Sequence, residues 1–82
     1  MYNVTFPENA TLNDLLKFIS KRHEWGDVRL GDDVCGAIIA EYDKKGEFYG
    51  DQKLIAYLSD KKLKSIWANG GWSAMNYHVT LD

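Results

Sequence analysis

Leu12, Leu15, Leu16 and Ile19 stand at i, i+3, i+4 and i+7, the spacing of one apolar stripe along an α-helix. This feature constrains the fold most, because such a stripe is stable only when laid against another apolar layer. Thr11 is placed to cap the helix, and Asp14, three residues on, can return the bond as in a capping box. Asp14 suits the positive end of the helix dipole, and Lys17, Lys21 and Arg22 suit the negative end. The pattern predicts a helix from about Leu12 to His23, with Gly26 as its stop.

The layer beneath the stripe is read from alternation. In "YNVTF", Tyr2, Val4 and Phe6 share one face of a predicted strand that Pro7 ends. "DVRL" reads as a short strand, Asp32 and Asp33 as a turn, and "GAIIAEYD" as a strand with an apolar centre. "DKKG", with Gly46 free to take positive φ, predicts a turn into "EFYG", the second arm of a hairpin. "DQKLIAYLSDKK" admits two readings: a short helix capped by Asp51, or a buried strand. "KLKSIWA" and "WSAMNYHVTLD" flank "NGG", a hairpin signal. Strand, helix, then mostly strands makes an α+β fold: one main N-terminal helix on a mostly antiparallel sheet, ending in a β-hairpin. At 82 residues the chain is expected to be one domain. Three Trp, five Tyr and three Phe supply the large side chains that so small a core needs.

The hairpin register decides the faces of the two tryptophans beside it. A three-residue loop Asn69-Gly70-Gly71 sets Trp67 opposite Ser73 and Ala68 opposite Trp72. One face then carries Leu63, Trp67, Met75, Tyr77, Val79 and Leu81, and is expected to be core. The other carries Lys64, Ile66, Ala68, Trp72, Ala74, Asn76, His78 and Thr80. Ile66, Trp72, Asn76 and His78 on that outer face form a candidate protein-binding patch, since tryptophan is enriched where partners bind.

Charge and motif content narrow the chemistry. A net charge of −2 lacks the basic excess of a general nucleic-acid binder. Lys61, Lys62 and Lys64 followed by Trp67 and Trp72 are the alternative: basic groups interleaved with aromatics, able to stack on a single strand. One Cys and two His without metal-ligand spacing predict no metal site, and no cofactor motif is present. Cys35 is expected to be buried and inert. His78 and Tyr77 are strand neighbours and point to opposite faces, so they cannot serve one catalytic site directly. No catalytic residue is assigned. No apolar run reaches the length of a membrane span, and "MYNVTFPENA" has neither basic start nor apolar stretch, so a cytoplasmic setting is expected.

Two segments, "TLNDLLKFI" and "LKSIWANGGWSAMNYHVTL", resemble small uncharacterised proteins of bacterial phages and mobile elements, which usually carry Asp where this chain has Asn76. The resemblance implies an intracellular bacterial or phage setting and no catalytic residues. The expected function is that of a small non-catalytic accessory protein with an unidentified protein partner. Self-association, strand order and the form of residues 51–60 are left open by the sequence.

Overall fold

The computed structural model of the chain describes residues 5–31, 36–71 and 74–82. Their fold is α+β, as the sequence predicts: α1 (Leu12–Ser20), β1 (Trp25–Leu30), β2 (Ala37–Tyr42), β3 (Phe48–Gly50), α2 (Gln52–Leu58), β4 (Leu63–Gly71) and β5 (Ala74–Leu81). Of the predicted strand "YNVTF", residues 1–4 lie outside the described residues, and Thr5 and Phe6 are not in a strand.

α1 forms for the reasons its sequence shows. Leu12, Leu15, Leu16 and Ile19 are all buried. Thr11 and Asp14 form the predicted capping box, in which the Thr11 amide donates to Asp14 Oδ2 at 2.8 Å. The helix ends at Ser20, three residues before the predicted end, and Gly26 is not its stop. His23 makes the reversal instead, at φ 57°. Gly26 lies within β1, under the helix, where an added Cβ would sit 3.0 Å from Ile19 Cγ2 and 3.6 Å from Tyr77 Cε2. Its use is close approach of helix to sheet.

The five strands lie in the order β3-β2-β1-β5-β4. Every pair is antiparallel except β1 with β5, which is parallel. The turn between β2 and β3 is built as predicted, with Gly46 at φ 82°. Asp43 Oδ1 accepts from the amides of Lys45 (2.9 Å) and Glu47 (3.0 Å), and Tyr49 donates its hydroxyl to Asp43 Oδ2 at 3.1 Å. These bonds, led by the Glu47 amide, hold the Asp43 carboxyl below its ordinary pKa. The ambiguous segment is helix α2. Asp51 Oδ1 accepts from the amides of Lys53 and Leu54 at 3.0 and 3.1 Å and caps it. The far end of α2 is tied to the start of α1, where the amides of Leu12 and Asn13 donate to the carbonyls of Lys61 and Ser59, both at 2.9 Å.

Both helices contribute to one core with one face of the sheet. It joins the α1 stripe and Leu58 to Val28, Ala40, Tyr42, Ala68, Tyr77 and Val79. Burial raises the pKa of the Tyr42 and Tyr77 hydroxyls. The hairpin departs from the predicted register. Asn69, Gly70 and Gly71 are not a loop; they pair with Asn76, Met75 and Ala74. The ladder also shifts between Leu63 and Ser65, leaving Lys64 as the extra residue of a bulge. Ile66 and Ala68 therefore share the covered face with Val79 and Tyr77, and Trp67 shares the opposite face with His78. The predicted assignment of Trp67 to the core is overturned, as is that of Ile66 to the outer patch.

The physical reason is volume. The Tyr77 ring is 2% exposed and lies between small residues, Gly26 of β1 and Ala68 of β4. An indole at the Ala68 position would overfill that layer.

Candidate functional site

The face of the sheet opposite the core is assembled from the strand registers. One transverse row runs Tyr49, Glu41, Asp27, Asn76, Asn69 from β3 to β4, each residue paired with the next. The next row runs Ile38, Arg29, His78, Trp67 from β2 to β4. A further pair, Ser65 and Thr80, is joined hydroxyl to hydroxyl. Trp25 and Ala74 pair at the other end of the same face. Period-two alternation puts all these side chains on one side.

Two polar clusters organise the face. In the first, the Trp67 and His78 rings stack at 3.9 Å between centroids and 11° between planes. His78 is only 1% exposed although it is on the open side, because the indole lies over it. Its Nε2 is 3.0 Å from Asn69 Oδ1; with that oxygen accepting, Nε2 carries the hydrogen. In the second, Arg29 Nε donates to Asp27 Oδ1 at 3.4 Å. Asn76, with its amide oriented to donate, is 3.1 and 3.0 Å from the two Asp27 oxygens. Around these clusters stand large exposed apolar groups: Trp25 at 49%, Ile38 at 48% and Tyr49 at 51%.

Of the predicted patch, Asn76 and His78 are on this face and within its two clusters. Ile66 packs against the core from the other side. Trp72 lies outside the described residues, as do Asp32, Asp33 and Cys35. Of the predicted nucleic-acid set, Trp67 is on the open face with one ring face taken up by His78. Lys61 lies with its Nζ 5.2 Å from the Tyr57 ring centroid, beside α2. Lys62 accepts from the Asp82 amide and bridges to Thr11, and Lys64 is the bulge residue. Lys61 is six positions from Trp67, up to about 20 Å of extended chain, and Lys64 is three positions from it, up to about 10 Å.

Trp25, Asp27, Arg29, Ile38, Glu41, Tyr49 and Asn69 are among the face residues that sequence reading missed. The signal for three of them is the alternation Trp25-x-Asp27-x-Arg29, which becomes visible once the strand is begun at Trp25 rather than at Asp27. Among the described residues, no three metal-ligating side chains converge, and no helix is long and apolar enough to cross a membrane. No family model, curated protein or solved structure matches this chain.

Proposed function

We propose that this chain is a small, non-catalytic binding protein that docks a protein partner through the open face of its sheet. One observation carries the reading. Trp25, Ile38 and Tyr49 are each about half exposed there, around a hydrogen-bonded polar centre of Asp27, Arg29, Asn69, Asn76 and His78. Antiparallel sheets commonly leave one face to water, so the open face alone carries nothing. Three large apolar groups on it, two of them aromatic, are side chains of the kind that anchor protein partners. The resemblance of both ends of the chain to phage and mobile-element proteins supports a bacterial cytoplasmic setting.

The test compares capture from a bacterial lysate by the parent chain, by Ile38→Ser/Tyr49→Ser, and by Lys53→Ser on α2 as a control. The double variant is expected to lose the captured protein while melting as a folded domain, and the control to keep it. If all three capture the same protein equally, the open face is not the docking surface. A steep loss of captured material with rising salt, traced to nucleic acid, would favour the lysine-based alternative.

A further inference from the structure

A recess of about 270 Å³ opens at the Trp25 end of the open face. Trp25, Asp27, Glu41, Ala74 and Asn76 form its walls. Gly26, Tyr42 and Met75 also line it, and since strand side chains alternate, these three offer backbone on this side and so make its floor. Resting on the reading just given, we propose that this recess receives a cationic side chain, lysine or arginine, of the protein partner.

Charge and shape argue for that occupant. Asp27 and Glu41 face each other directly across β1 and β2. Like charges so placed repel, with Cβ atoms about 5 Å apart. Asp27 is compensated by Arg29 at 3.4 Å and by the Asn76 amide. Glu41 is exposed, and its carboxylate has no hydrogen-bond or ion-pair partner among the described residues. Among the described residues, the two rows of the open face carry two carboxylates, Asp27 and Glu41, and one cation, Arg29, with Glu41 at the wall of a pocket whose other wall is an exposed indole. A carboxylate and an aromatic face together suit a cation, by ion pairing and by cation–π attraction. Size limits the ligand as well. At about 270 Å³ the recess is at the lower edge of the roughly 300–1,000 Å³ of small-molecule pockets and has room for one long side chain. The covered flank of Trp25, shared with Ile19, Arg22 and Tyr77, holds no comparable space.

The probes are the capped tripeptides Gly-Arg-Gly and Gly-Lys-Gly, with Gly-norleucine-Gly as the neutral control, titrated at low salt into the ¹⁵N-labelled chain. Both cationic peptides are expected to give saturable shifts at the Trp25 indole N–H and at the Glu41 and Ala74 amides. The norleucine peptide is expected to bind at least tenfold more weakly. Glu41→Gln, an exposed substitution that leaves the fold intact, is expected to weaken the cationic peptides at least threefold, and Trp25→Ala to abolish saturation. Equal shifts with norleucine, shifts spread evenly over the surface, or unchanged affinity in Glu41→Gln would each overturn the inference. If the peptides fail while Ile38→Ser/Tyr49→Ser still loses its captured protein, the cation recess falls and the docking face stands.

Discussion

Replacing Gly26 by alanine tests the packing of α1 against the sheet. The new Cβ would lie 3.0 Å from Ile19 Cγ2, closer than ordinary van der Waals contact, and 3.6 Å from Tyr77 Cε2. Ile19 is 1% exposed and Tyr77 2%, so neither can swing into solvent. Overpacking of this kind costs about 1–3 kcal/mol. Against it stands a gain of about 0.4–1 kcal/mol, because alanine has less freedom to lose than glycine on folding. The net is a destabilisation of about 1.3 kcal/mol at the middle of a range of about 0–2.6 kcal/mol. Ile19→Ala alone should cost about 2–5 kcal/mol, as for other emptied core sites. The two together should cost about 1 kcal/mol less than their sum, because the alanine methyl at position 26 then enters space that Ile19 has left. Urea melts of the parent, the two single variants and the double variant give the coupling. Additivity to within about 0.5 kcal/mol would show that the two sites do not touch. It would refute the account of Gly26 as a close-approach residue and revive the helix-stop reading.

Trp67→Ala should remain folded, at a cost of about 3 kcal/mol for the lost burial and stacking, and should speed diethyl pyrocarbonate modification of His78. Ala68→Asp, which puts a carboxylate at a fully buried position, should leave no cooperative melt by circular dichroism at neutral pH; the reverse ranking would overturn the hairpin register. Asp43 has a lowered folded pKa, so its contribution is present above the ordinary carboxylate pKa and is lost as pH falls through the lowered value. Asp43→Asn should therefore reduce stability at pH 7 and flatten the acid limb of a Tm-against-pH curve, and an unchanged limb would contradict the turn geometry.

What was legible in the sequence was local. The α1 stripe, the Asp14 cap, Gly46 in its turn and the Asp51 cap each depend on residues within a few positions of one another, where spacing and stereochemistry decide. What was not legible depended on contacts distant in sequence. Gly26 next to a helix looks like a stop; only the approach of Ile19 and Tyr77 shows that it is a packing glycine. Residues 51–60 were ambiguous because seven helical residues carry too few periods to be told from a strand. The candidate site suffered in the same way. Asn76 and His78 follow from β5 alternation alone, but Asp27, Arg29 and Glu41 join them only through the parallel pairing of β1 with β5, which no local pattern announces.

The bulge at Lys64 ties the core to the open face. β5 has a simple alternation: Tyr77 and Val79 inward, Asn76, His78 and Thr80 outward. β4 must match it under two demands. The position opposite Tyr77 has to be small, because the ring there already fills the layer that Gly26 leaves thin, and the position opposite His78 has to be broad enough to cover an imidazole. Ala68 and Trp67 meet these demands only in this parity. Leu63, which closes the same core against Leu81, lies an odd number of residues from Ala68. In an unbroken strand Leu63 and Ala68 would point to opposite faces. One extra residue, Lys64, reconciles them and leaves its own long polar side chain exposed. The tryptophan that the sequence suggested as a core residue therefore reaches the face proposed for binding because of a packing requirement on the other side of the sheet.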